Sequence, residues 1–114
     1  MEKREILVLG TPYTIAITDQ NEDKSLFELD GYCDYSSKRI VIKDFNNVTG
    51  AKASDFPHVH ANLVLRHEII HAFLYESGLS NYRSDETLID WLAIQFPKMA
   101  TLFSTVEINL EPKE

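Results

Sequence analysis

From about His58 to Ser77 the chain reads as one long helix, and that helix sets the terms for everything else. Phe56-Pro57 offers a start, because proline suits the first helical position, and Gly78 is well placed to stop it. Around the helical wheel Leu63, Val64, Leu74, His67 and His71 share one side, while Leu65, Ile69, Ala72 and Phe73 lie on the other. A helix that is apolar nearly all round is expected inside a protein, not on its surface. The remainder of a 114-residue chain therefore has to be organised around it.

The helix carries polar groups where they are expensive. Leu65-Arg66-His67-Glu68-Ile69-Ile70-His71-Ala72-Phe73-Leu74 holds the pattern His-Glu-x-x-His within an apolar run. The plain alternative is that these are solvated side chains on an exposed face, but the apolar residues on every side oppose it. Buried imidazoles and carboxylates without partners cost on the order of 1–3 kcal/mol each. A metal ion removes that cost. Histidines four residues apart stack one turn above the other on the same face, and each can supply a nitrogen to zinc at roughly 2.0–2.1 Å. Glu68 is rotated about 100° from His67, beside the ion, where it can reach a coordinated water without being a ligand.

Length, charge and cysteine content bound the rest. One chain of this length fits a single domain, residues 1–114, with one core. A net charge of −7 with no Lys/Arg cluster argues against nucleic acid or anionic membrane as partner. Cys33 is the one cysteine, so no internal disulfide forms and a reducing, cytoplasmic setting is expected. The apolar run Ile-Leu-Val-Leu near the N-terminus is too short for a signal peptide, and no stretch is long enough to span a bilayer.

Before the long helix the pattern is that of strands. Residues 5–10 and 12–18 are rich in β-branched and aromatic residues and are separated by Gly10-Thr11-Pro12, which predicts a hairpin. Residues 19–25 read as a polar surface loop. Phe27 and Leu29 alternate with Glu28 and Asp30, and Gly31 to Tyr35 continues that alternation as a strand; Ser36-Ser37-Lys38 is a tight turn and Arg39 to Lys43 a returning strand. Asp44 to Asp55 reads as a loop. After the helix, Ser84 is the expected N-cap of a second one, with Asp85 and Glu86 in its first turn, running through Asp90, Trp91 and Ile94 until Pro97 ends or kinks it. Residues 98–108 are compatible with a short helix, a last strand, or both, and the tail 111–114 is expected to fray. Trp91 and Phe96, at helical spacing, are expected in the core, and Cys33 is expected to act as a small buried hydrophobe. The fold class is α+β: a twisted N-terminal sheet of three to four strands packed on the His-Glu-x-x-His helix and on a second, ligand-bearing helix.

A third ligand follows by elimination. No histidine lies beyond His71, and the extended pattern His-Glu-x-x-His-x-x-Gly-x-x-His fails at Leu74 and Ser77. A downstream carboxylate, an upstream histidine or Cys33 remains. Glu86 is the best of these, because Glu86 and Asp90 lie four apart on one helical face. One can bind the metal while the other holds a ligand histidine by its free N–H. The link from His71 is long enough to set two antiparallel helices side by side. Asp85, at the helix start and off the Asp90 face, is the weaker candidate. His60 lies about 10 Å from His67 along the helix axis, too far to share the ion; it and His58 read as surface residues near the helix start.

His67-Glu68-Ile69-Ile70-His71 followed by Glu86-Thr87-Leu88-Ile89-Asp90 resembles the gluzincin zinc metallopeptidases, whose signature is His-Glu-x-x-His and then Glu-x-x-x-Asp. In size the chain is similar to small single-domain zincins of bacteria and phages, akin to the ImmA/IrrE-like metallopeptidases. The resemblance covers about residues 65–97. It implies a zincin-like domain with His67, His71 and Glu86 as zinc ligands, Glu68 as catalytic base and Asp90 as the group that orients a histidine. It also implies a peptide or protein substrate laid along a sheet edge, either Gly31–Tyr35 or Arg39–Lys43. Tyr75, Tyr82 and His60 are positional candidates for the oxyanion donor. The chain departs from larger gluzincins in having no room for the second domain that completes their cleft. The competing reading is a non-catalytic zinc-binding accessory or partner-binding domain.

Overall fold

Tight turns and alternating strands build the first half of the molecule, and two long helices build the second. The computed structural model describes residues 2–48 and 55–112. It has strands β1 (Glu2–Val8), β2 (Thr11–Thr18), β3 (Gly31–Asp34) and β4 (Arg39–Lys43), then helices α1 (Pro57–Glu76) and α2 (Glu86–Thr105). The class is α+β, with a four-stranded mixed sheet in the order β1-β2-β4-β3. The expected hairpin forms, with its turn one residue earlier than Gly10-Thr11-Pro12 suggested. Val8 pairs with Thr11, leaving Leu9 and Gly10 as a two-residue loop at φ 49° and 84°. Two successive positive φ values are those of the turn whose twist suits a hairpin, and glycine takes the second without strain.

β4 is the central strand, parallel to β2 and antiparallel to β3, and its Ile40, Val41 and Ile42 are all buried. Strand alternation sends Tyr13, Ile15, Ile40 and Ile42 to the face on which α1 lies, where they join Val8, Phe45, Val64 and Ala72 in the core. The opposite parity, Ala16 and Val41, is buried too, as is Leu26. Leu26 belongs to a 3₁₀ turn, Lys24–Phe27, capped by Asp23. The strand expected to begin at Phe27 is therefore absent before Gly31. Asp23 also accepts a hydrogen bond from the Tyr32 hydroxyl at 2.5 Å, which ties this turn to β3. Of the loop expected across Asp44–Asp55, Phe45–Asn47 form another 3₁₀ turn, and residues 49–54 lie outside the described residues.

β3 comes close to α1 because Gly31 has no side chain. A Cβ there would stand 2.8 Å from the Val41 carbonyl oxygen and 2.9 Å from Val64 Cγ1. Of the two strands considered as a free edge, β4 is excluded, since it is paired on both sides; β3 is an edge.

α1 runs as expected from Pro57, and Gly78 at φ 85° closes it. α2 differs from expectation at its cap and at two aromatic side chains, and of the alternatives open after Pro97 it takes the helix. Asp85, not Ser84, caps it, accepting from the Leu88 backbone N–H at 3.1 Å. It continues through Pro97 to Thr105, so residues 98–105 are helix and carry no strand. Trp91 and Phe96 are not core residues; they are 52% and 50% exposed. The tolerance of Pro97 has a local cause. Proline has no N–H for the carbonyl four residues back, which is that of Ala93, and the Arg66 guanidinium donates to that carbonyl at 2.8 Å instead. The bond also ties the two helices together.

Candidate metal centre

The inward stripe of α1 contains Val64, Glu68, His71 and Ala72, all buried. His67 lies at the edge of that stripe, facing α2. A short link of one 3₁₀ turn, Ser80–Tyr82, reverses the chain, and the capped start of α2 then brings Glu86 and Asp90 opposite the two histidines. Their separations are those of direct contact. Glu86 Oε2 lies 2.9 Å from His67 Nε2 and Glu86 Oε1 3.1 Å from His71 Nε2, so a single carboxylate spans both rings. Asp90 Oδ1 lies 2.8 Å from His67 Nδ1. The two Nε2 atoms are 3.2 Å apart.

His67, His71 and Glu86 thus form a group that could hold a metal ion, with one ligand atom from each within 4.8 Å of the others. The donor chemistry fits a cation. A neutral imidazole has one N–H. In the tautomer that gives Nδ1–H to Asp90, the His67 Nε2 lone pair points at the His71 nitrogen and the Glu86 carboxylate. With His71 also carrying its proton on Nδ1, three electron-rich atoms face one another and repel unless a positive charge lies between them. Tetrahedral zinc with Zn–N of about 2.0–2.1 Å separates its nitrogens by roughly 3.3 Å, close to the spacing of the two histidines. Asp90 lies against the outer nitrogen of His67, from where a carboxylate can fix an imidazole's tautomer and ring orientation.

The surroundings of each group differ. Glu68 is buried beside the histidines, and burial pushes its carboxyl up to about 7; the adjacent His67 opposes this and the Glu86 charge adds to it. His71 is pushed down, first by burial, while Glu86 works against that shift. Glu86 and Asp90 are 60% and 65% exposed, so the site opens to solvent on the α2 side. A groove of about 350 Å³ passes over it, lined by β3 residues Gly31, Tyr32 and Cys33 as well as by Glu68 and the three candidate ligands. Cys33 is half-buried there, and burial raises its thiol to about 12, which makes it a neutral wall of the groove.

Tyr35 was not singled out by the sequence. Its hydroxyl lies 3.3 Å from His71 Nδ1, on the side away from Glu86. Its ring stacks on Tyr75 at 4.6 Å, and the Arg83 guanidinium sits 5.2 and 5.3 Å from the two rings. The available signal was slight, a tyrosine at the end of the expected strand Gly31 to Tyr35. The positional candidates fare differently: Tyr75 supports Tyr35, Tyr82 is exposed, and His60 contacts Asp30 at 3.2 Å and the edge of Phe45. Asp85 is occupied as the α2 cap. No helix is long and apolar enough to cross a membrane among the described residues. In comparisons with protein-family models, curated proteins and solved structures, nothing matches this chain.

Proposed function

We propose that the chain is a zinc-dependent peptidase whose metal is held by His67, His71 and Glu86 and whose general base is Glu68. The observation that carries this reading is the convergence of two imidazoles and one carboxylate from different helices, with a second carboxylate, Glu68, beside them and outside the ligand set. Three protein ligands leave a coordination position for chemistry, unlike a closed structural site. A divalent ion there supplies Lewis acidity, polarising a carbonyl and making a water more acidic.

The protein's own groups do the rest. Asp90 holds His67 through Nδ1 so that Nε2 faces inward. Tyr35 and the Arg83 backbone do the same for His71 from the opposite side. Glu68 takes the proton from the attacking water onto its carboxylate and passes it to the departing amine. Burial excludes bulk water from around Glu68 and keeps its carboxylate from reorienting toward solvent. The free side of β3 presents backbone N–H and C=O groups along the groove, where an extended peptide can add as a fifth strand.

The test is Glu68→Gln in protein loaded with zinc. Metal content should stay at one ion per chain while cleavage of a peptide mixture, followed by mass spectrometry, falls by roughly 10²–10⁴-fold. Wild-type protein that binds zinc and cuts nothing would favour the non-catalytic accessory reading. Cleavage that persists in the variant would remove Glu68 from its role.

A further inference from the structure

The second half of α2 leaves the body of the molecule. Every residue from Ala100 to Pro112 is exposed, Leu102, Phe103, Val106, Ile108 and Leu110 among them. The longest dimension of the protein is 65 Å against 33 and 26 Å, and its radius of gyration is 16.8 Å. A compact chain of this length has about 13 Å. The accessible surface is 8248 Å², roughly 1,900 Å² above what a compact monomer of this mass exposes. A stable interface of ordinary size removes about 800 Å² from each partner.

The arm continues a seam that begins inside the fold. Ile89, Leu92, Phe96, Met99, Phe103 and Val106 are spaced by three and four residues, the repeat of helices that pack along one another. Ile89 is fully buried and Leu92 half-buried; Phe103 and Val106, further out, are exposed. Beside the seam, Ile69, Ile70, Phe73 and Leu74 of α1 and Leu92 and Phe96 of α2 line a groove of about 350 Å³ whose open walls are apolar. The arm cannot fill this groove in its own chain. Phe103 is two helical turns beyond Phe96, about 10 Å further along the same rod.

We propose that the groove of each chain receives the arm of a second copy, making a two-fold homodimer. One chain carries both an apolar arm that none of the described residues covers and an apolar groove that the arm cannot reach, and a reciprocal exchange satisfies both at once. The excess surface is large enough for such an interface, and an amphipathic or fully apolar helix lying in a groove is a common mode of recognition. The inference is independent of the metal centre.

Sedimentation or light scattering of the whole chain at tens of micromolar should give twice the 13.1 kDa chain mass. Phe103→Glu in the arm and Phe73→Glu in the groove each place a charge in the proposed contact. Each should weaken dimerisation by roughly 30-fold or more while the far-UV circular dichroism and zinc content stay unchanged. Both side chains are about half exposed in the single chain, so neither substitution disturbs its core; Phe73→Gln and Phe103→Gln repeat the test without a charge. A wild-type monomer at these concentrations overturns the proposal. So does a dimer that survives the Phe73 substitutions, since the groove would then not be the seat.

Discussion

α1 and α2 are equal in length, twenty residues each, and both are rich in apolar side chains, yet the fold uses them in opposite ways. α1 lies across the sheet and buries Glu68 and His71 along with Val64 and Ala72. α2 touches the body only through its first half, and its Glu86 and Asp90 meet the histidines of α1 while remaining largely exposed. The candidate metal centre therefore joins a buried wall to an exposed one. His67 and His71 lie on a helix packed along the sheet, whereas the acidic groups lie on a helix held by its cap, a short link, the buried Ile89 and Ala93, and one arginine contact. Apolar content by itself did not distinguish the two helices; what each one touches did.

This contrast can be broken most sharply at the acidic wall. Glu86→Ala should lower zinc affinity by more than the roughly 10–100-fold typical for loss of an outer partner and leave the thermal midpoint of the metal-free protein within about 2 °C, as expected for an exposed surface change. Asp90→Ala should fall inside that 10–100-fold range, and Asp85→Ala should act on helix α2 stability with little change in zinc affinity. Competition titration against a zinc chelator orders the three. Should Asp85→Ala exceed Glu86→Ala, the third ligand is misassigned.

The tie between the walls comes next. Arg66→Ala removes the donor that replaces the missing proline N–H and leaves the Ala93 carbonyl with that deficit, at a cost of about 1.5 kcal/mol. Pro97→Ala restores the helical donor, so the same Arg66 substitution in that background should cost less. Denaturant unfolding of the four proteins of this cycle measures the coupling. Equal costs in both backgrounds would detach Arg66 from Pro97.

The smallest effect belongs to the far end of α1. Glu76 accepts hydrogen bonds from Lys38 at 2.8 Å, Tyr13 at 2.6 Å and Thr11 at 3.2 Å, which together anchor the helix to β2 and to the turn before β4. These partners, Lys38 first, hold the Glu76 carboxyl below its ordinary value. A depressed carboxyl contributes stability that is present above the unfolded-state value of 4.5 and is lost as the pH falls through the folded one. Glu76→Gln should flatten the acid limb of the stability–pH curve below about 4.5 and change little at neutral pH beyond the lost ion pair. An unchanged acid limb would mean that this end of α1 does not contribute to acid unfolding.

Much of the local structure was legible in advance, for reasons that act over a few residues. Pro57 and Gly78 bound α1 because of their fixed or permitted φ. The spacing of His67, Glu68 and His71 puts them on one side of any α-helix. The β-branched runs around Gly10 make a hairpin through turn sterics, and Arg39–Lys43 is a strand as expected. Where expectation and structure part, the cause is either a competing local cap or a partner far off in the chain. Phe27 to Asp30 alternate like a strand, but Asp23 caps a 3₁₀ turn there that buries Leu26. Pro97, expected to end or kink α2, is carried within the helix where Arg66, from α1, supplies the absent donor.

The sequence alone determined which side chains could reach a common ion from α1, because the pitch of an α-helix does not depend on its surroundings. It also narrowed the third ligand to few residues. Only the tertiary structure decided that Glu86 meets both imidazoles, that Asp90 and Tyr35 stand behind them, that β3 and not β4 is the free edge, and that Trp91 and Phe96 remain outside. Those outcomes depend on how helices cross and which faces meet, a balance of packing among residues far apart in the chain that no local pattern encodes.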